Sequence, residues 1–341
     1  TPGGADGAVG GGVLNLFAHG HFNREGTLSP ATLSGLTATG GVISDYASGS
    51  DIYRAHIFTT SGAFEVTAAP GDFGNTVDYL VIGGGGGGGA RLGGGGGAGL
   101  LRYETGVSVT AGPTSYPVSI GAGGAGKAAP HSKGKDGTAT TFGSSPQPIN
   151  VSSPGGGGGG GYHPSSPNPT HQQGNPGGSG GGNESRITSA STGSGDSGHP
   201  GAVDQASPPN GWGNDGGVGA GGPPYASGGG GGSGGAGGDG SGPPDVNGSG
   251  GTGAPYSITG ITTHYAAGGG ASGYNVAGAP GGLGGGGAGG ASGTDPGGAG
   301  TFSTGSGGGG SSDSGSAGGD GGRGGSGIVV VRYKIAELTG Q

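Results

Sequence analysis

Runs of consecutive glycine, such as Gly83 to Gly89 and Gly155 to Gly161, recur along this chain, which holds 108 glycines in 341 residues. A glycine run has no side chains with which to bury surface or do chemistry. Each glycine loses more backbone freedom on folding than alanine, roughly 0.5–1 kcal/mol, so the glycines together oppose order by something on the order of 50–100 kcal/mol. Net stabilities are only about 5–15 kcal/mol. The chain is therefore either disordered or held by a dense scheme of backbone hydrogen bonds that only side-chain-free segments can make.

Composition narrows the class further. The chain is 27% hydrophobic and 9% charged, far below the charged share of an ordinary soluble domain, so a large apolar core cannot be built. Glycine blocks spread from end to end predict one extended, quasi-repetitive body. Eleven Lys and Arg against 19 acids give a net charge of −8 with no basic cluster, which argues against nucleic-acid binding. Zero cysteines exclude disulfides and thiolate metal sites. No window approaches the roughly 20 apolar residues of a membrane-spanning helix. With no methionine and Thr1 in first place, the expectation is a processed product or a piece of a longer one.

Strand signals cluster at the two ends. Tyr53 to Thr59 and Ala63 to Thr67 are rich in β-branched and aromatic residues, with Ser61-Gly62 between them as a hairpin turn. Val77 to Ile82 runs directly into seven glycines, and Leu100 to Tyr103, Gly106 to Thr110, Tyr116 to Ile120 and Thr138 to Phe142 follow. The strand signal then fades until Gly327 to Lys334, some 185 residues further on. Helix is excluded by the density of glycine and proline. Collagen fails as well, because it demands Gly at every third position and many more than the 23 prolines present.

What remains is the extended threefold helix of polyproline II type, at about 3.1 Å per residue, so that a seven-glycine run would span about 22 Å. Without Cβ atoms several such helices can pack side by side and exchange N–H···O=C bonds in several directions, aided by Cα–H···O contacts. The predicted fold is thus mainly β plus polyglycine II, with short antiparallel strands from both chain ends clamping a stacked bundle and essentially no α-helix. Residues 1–39 are read as an anchoring or assembly segment, with Val13, Leu14, Leu16 and Phe17 as its apolar contact. Residues 40–335 form the body and 336–341 a tail.

The order Tyr53-Arg54-Ala55-His56-Ile57-Phe58-Thr59, Ser61 to Val66, Val77-Asp78-Tyr79-Leu80-Val81-Ile82-Gly83-Gly84 and terminal Gly325-Ser326-Gly327-Ile328-Val329-Val330-Val331-Arg332-Tyr333 resembles the glycine-rich domain of phage tail and tail-fibre proteins, in which cyanophages and other marine phages are rich. Tyr116 to Gly124 and Tyr265 to Gly270 look like further landmarks of that family. A looser likeness, in composition and alternation, is to the fibre-tip adhesins of some T-even phages, whose glycine-rich motifs form a packed body between receptor-touching loops. The resemblance covers about residues 40–335 and implies a non-enzymatic virion protein.

Apparent chemical motifs dissolve on inspection. Gly121 to Lys127 nearly spells a phosphate-binding loop, but Ala128 stands where a hydroxyl should bind Mg²⁺ and Pro130 obstructs the helix. Gly234-Gly235-Ala236-Gly237-Gly238-Asp239 begins like a calcium-binding nonapeptide, yet Ser241 replaces the large apolar residue and no tandem copy follows. His19 and His21 lack a nearby third ligand. No cofactor and no metal site is expected, and no catalytic constellation stands out.

The functional expectation rests on the loops. Tyr162, His163, Trp212, Tyr225, Tyr256 and Tyr274 sit among glycine runs in a chain poor in aromatics. They read either as caps on the lattice or as contacts to a sugar or protein surface. The leading reading is a rigid phage tail-fibre or adhesin scaffold, self-associated as a homotrimer or filament, meeting a host surface polysaccharide or receptor. The alternatives are an extracellular filament protein polymerising through glycine packing and, third, an ice-binding protein.

Overall fold

The structure, a computed structural model, describes residues 35–68, 73–126, 132–164, 168–196, 199, 203–223, 225–274, 277–313 and 319–337. Twelve strands are found among them: β1 (Thr37–Thr39), β2 (Val42–Ser48), β3 (Asp51–Phe58), β4 (Gly62–Ala68), β5 (Thr76–Ile82), β6 (Leu101–Ser108), β7 (Thr114–Ser119), β8 (Thr140–Gly143), β9 (Asn150–Ser153), β10 (Ala254–Tyr256), β11 (Thr263–Tyr265) and β12 (Ile328–Glu337). A single helical turn, α1 (Pro169–Gln172), is the only α-helix among the described residues. The protein is mainly β, as expected. The two strands predicted across 100–110 merge into one, β6, and β1 pairs with β4 from just ahead of residue 40.

The strands make two antiparallel five-stranded sheets, ordered β1-β4-β7-β8-β9 and β2-β3-β12-β5-β6, and a two-stranded antiparallel pair, β10-β11. The C-terminal β12 lies at the centre of the second sheet. It pairs with β3 from Val329↔Phe58 onward and with β5 from Ile328↔Ile82 to Arg332↔Asp78. The first and last strong strand signals of the chain are therefore neighbours, and the long glycine-rich middle leaves and returns to the same sheet.

That second sheet is covered on both faces, which explains the unbroken apolar runs of β5 and β12. Alternate residues Val77, Tyr79, Val81, Val329, Val331 and Tyr333 face the first sheet, where Phe64, Tyr116, Val118 and Phe142 meet them. Phe142 packs edge-on to Tyr79 at 5.7 Å and to Phe64 at 6.2 Å between ring centroids. The intervening residues, Leu80, Ile82, Ile328 and Val330, face the other way and are covered by Trp212, Tyr256, Ile258 and Tyr265.

Beyond the ends of β5 and β12 the glycine runs form a second kind of body. From Gly83 to Ala90 the backbone N–H groups donate in a repeat of three. Gly83, Gly86 and Gly89 bond to Leu100, Gly97 and Gly94; Gly84, Gly87 and Ala90 to Thr138, Lys135 and Ser132; Gly85 and Gly88 to Gly325 and Gly322. The carbonyls of the same run accept from three more segments: Gly156, Gly159 and Tyr162; Gly308 and Ser311; and Gly124. One run thus has six bonded neighbours. The 94–100 run repeats the arrangement, donating to 154–160, 228–231 and 305–311.

This arrangement requires glycine at its centre. A Cβ built on Gly86 would sit 2.5 Å from the carbonyl carbon of Gly157, and one on Gly95 2.5 Å from that of Gly269, both backbone atoms. At the rim one direction in three faces solvent, and side chains return there with that spacing. Ala122 and Ala125, Ala288 and Ala291, and Asp320 and Arg323 are exposed, whereas residues 83–89 are buried throughout.

Candidate functional site

Each glycine run must reverse direction at the limits of the body, and the reversals are where side chains gather. The hydrogen-bond register places the 83–90, 154–161, 266–273 and 305–312 runs with their C-terminal ends together, away from the sheets. Arg91, Tyr162, Arg186, Tyr225, Tyr274 and Asp313 meet at that tip.

Arg91 and Leu92 make the first reversal with φ of 49° and 50°, and Tyr225 has φ of 66°. Left-handed backbone costs a side-chain-bearing residue roughly 1–2 kcal/mol, a penalty glycine escapes. The Arg91 side chain is pinned by an ion pair to Asp313 at 2.9 Å, and its guanidinium lies 4.5 Å from the Tyr162 ring centroid. The Tyr162 backbone N–H donates to the carbonyls of Ala90 and Arg91, both at 3.0 Å.

Arg186 joins the two halves of the tip. Its guanidinium lies 4.8 Å from the Tyr162 ring and 5.4 Å from the Tyr225 ring, both within cation–π range. Tyr225 in turn meets Tyr274 edge-on at 6.4 Å, and Tyr274 is 40% exposed. Arg186 Nη1 donates to the His163 carbonyl at 3.3 Å, and the His163 ring stacks on His171 at 4.5 Å.

Glu184 stands beside Arg186 but is fully buried, and burial pushes its carboxyl up from the usual range. Its oxygens take the Ser185 hydroxyl at 2.8 Å and the Arg186 backbone N–H at 3.2 Å, while the Arg186 Nε stays 4.0 Å away.

The six aromatic and histidine positions read as either lattice caps or surface contacts divide. Tyr162, His163, Tyr225 and Tyr274 come together at the tip. Tyr256 and Trp212 do not, which corrects their reading as surface contacts. Tyr256 is fully buried, 4.7 Å from Tyr103, with its hydroxyl donating to the Gln205 carbonyl at 2.8 Å. Trp212 is 9% exposed and bridges Leu101 through paired backbone bonds. The reason lies in the second sheet, whose outer apolar face must be covered, and these two rings supply the cover.

Sequence reasoning missed Arg91, Arg186, Glu184 and Asp313. The scarcity of Lys and Arg, 11 in all, was the available signal, since two of them occupy reversals between glycine runs. Val13, Leu14, Leu16 and Phe17, His19 and His21, and Lys127 lie outside the described residues. Among the described residues no group of three His, Asp or Glu side chains converges as a metal site, and no helix is long and apolar enough to cross a membrane.

Fold and tip together define a glycine-rich β protein in which a side-chain-free body holds aromatic and cationic reversals at the end opposite its sheets. A family model described as "Glycine-rich domain" matches residues 59–334, so the chain belongs to that glycine-rich domain family. No curated protein matches the chain.

Proposed function

We propose that this protein is a non-enzymatic structural component of a phage tail fibre or adhesin, in which packed polyglycine II helices form a rigid scaffold that presents tip loops to a host surface. The observation that carries this reading is the division of labour along the body. One end is clamped by two sheets, the middle is reduced to backbone, and the interacting side chains Tyr162, Arg186, Tyr225 and Tyr274 are collected at the far end. Period-three hydrogen bonding to six neighbours is the pattern a polyglycine II lattice would give. It fixes the reversals without a large apolar core.

A second reading, an extracellular filament protein, draws on the apolar side chains exposed away from the tip. Val42 and Ile43, on edge strand β2, are 66% and 47% exposed, and an open edge of that kind can pair with another chain. Negative-stain electron microscopy of native material with an antibody to this chain separates the two. Gold on fibres of phage particles is the expected result. Free filaments of indefinite length bearing the label would overturn the fibre reading in favour of the second.

A further inference from the structure

We infer that the tip is a binding site for an acidic polysaccharide, with the Arg186 guanidinium pairing a sugar carboxylate and the exposed Tyr274 ring taking the apolar face of a pyranose. The inference rests on the surface-recognition reading and names its ligand. Its first support is the setting of Arg186, which differs from that of the carboxylate-paired arginines, although Arg102 likewise bonds only to backbone carbonyls. Arg54, Arg91 and Arg332 each hold a carboxylate at 2.8 or 2.9 Å. Arg186 instead packs against two tyrosine rings, gives one hydrogen bond to a carbonyl, and comes no nearer than 4.0 Å to Glu184, whose oxygens are already engaged. Its Nη2 has no protein acceptor among the described residues. A guanidinium within cation–π reach of two rings, 4.8 and 5.4 Å from their centroids, with Nη2 uncommitted, suits a carboxylate that can take it in a fork.

The second support is Tyr225. In a chain that places glycine at most of its left-handed turns, this position keeps a bulky ring at φ 66°. The ring backs Arg186 on one side and Tyr274 on the other. Strain retained at a side chain that supports an exposed aromatic is a pointer to use rather than to stability. Tyr274 then supplies the flat, partly exposed surface on which a sugar ring can lie. The net charge of −8 matters too, because bulk attraction cannot bring a polyanion to this protein and any affinity must be local.

The test uses the full-length protein and biolayer interferometry against immobilised alginate, a polyuronate, with neutral dextran and polyphosphate as comparison surfaces. Binding to alginate but not to dextran is expected, with polyphosphate weaker than alginate if the carboxylate is what is read. Arg186→Gln and Tyr225→Gly should each weaken alginate binding at least tenfold. Tyr225→Gly relieves a left-handed position, so its circular dichroism and melting temperature should match the parent and keep the result interpretable. Alginate affinity within twofold of the parent in both folded variants overturns the inference, as does equal binding to dextran or no binding to alginate. If the parent binds no alginate yet still adsorbs to host cells, the ligand assignment falls and the surface-recognition reading stands. Loss of both removes them together.

Discussion

Replacing Gly95 by alanine tests whether backbone packing in the glycine body carries stability. The N–H of Gly95 donates to Gly228 at 3.1 Å and its carbonyl accepts from Gly182 at 2.7 Å. A Cβ there would lie 2.5 Å from the carbonyl carbon of Gly269 and 2.9 Å from the nitrogen of Gly230. Carbon atoms pack at about 3.5–4.0 Å, so the 266–273 run must retreat by about 1 Å. That retreat stretches the bonds Gly230 to Gly269 and Gly269 to Gly96, each 2.9 Å, and the close approach to the Gly230 nitrogen strains the bond from Gly95 to Gly228 on the same run. Three buried bonds at about 0.5–1.5 kcal/mol each, less about 0.4–1 kcal/mol gained by stiffening the unfolded chain, give a net loss of about 1–3 kcal/mol. At about 2.1 cal/mol/K per residue the unfolding entropy of 341 residues is about 0.7 kcal/mol/K, so the melting temperature should fall by roughly 1.5–4 °C. Gly235→Ala is the matched control, since its Cβ would meet only the Thr252 hydroxyl at 3.2 Å and nitrogen at 3.8 Å. Thermal melts followed by circular dichroism compare the two. A Gly95→Ala melt within about 1 °C of the control would refute the packing argument.

The remaining predictions concern the sheets. Burial holds His56 below its ordinary range, with Nδ1 donating to the Gly40 carbonyl at 2.7 Å and Nε2 set against the Tyr333 hydroxyl at 3.2 Å. Because the folded state keeps the ring neutral while the unfolded chain takes a proton below about pH 6.5, stability is present above that pH and declines below it by up to about 1.4 kcal/mol per pH unit. Melts from pH 8 to 5 should fall more steeply for the parent than for His56→Gln, and parallel curves would dismiss the assignment. Arg332 joins Asp78 at 2.9 Å to the hydroxyls of Tyr46 at 3.2 Å and Tyr103 at 3.1 Å. Arg332→Met should cost about 2–4 kcal/mol in urea unfolding, somewhat under a fully buried pair because both partners retain some exposure; a loss below about 0.5 kcal/mol would show the cluster to be incidental. Tyr256→Ala should destabilise by about 3–5 kcal/mol without changing surface binding of the protein that folds, and the reverse pattern would restore Tyr256 to the surface.

Much of the architecture is written in the chain because its causes are local. Uninterrupted glycine at 83–89 and 155–161, if ordered, must be surrounded by backbone, and Val77 to Ile82 with Ile328 to Tyr333 are largely apolar on both faces because both faces are buried. Their pairing was legible for that reason. Strand β2 was not, since Val42–Ser48 is a mixed, largely exposed edge whose β form depends on β3 beside it. Likewise β6 is one strand because β5 pairs with it on both sides of an irregularity at Thr105 and Gly106, where Gly106 takes φ of 65°.

The tip was legible only in part. Sequence singles out Tyr162, His163, Tyr225 and Tyr274 as aromatics among glycines, but Arg186 reaches Tyr162 and Tyr225 only through the register in which their runs align. Side-chain-free segments present nearly identical surfaces, so nothing in a glycine run names its neighbour. The sequence by itself determined that there would be a glycine body closed by strands from its two ends. Which runs adjoin, and hence which reversals share the tip while Trp212 and Tyr256 turn inward onto the sheet, was decided by the tertiary structure, because the length of each run and the closure of the second sheet set the register that six-neighbour hydrogen bonding then locks.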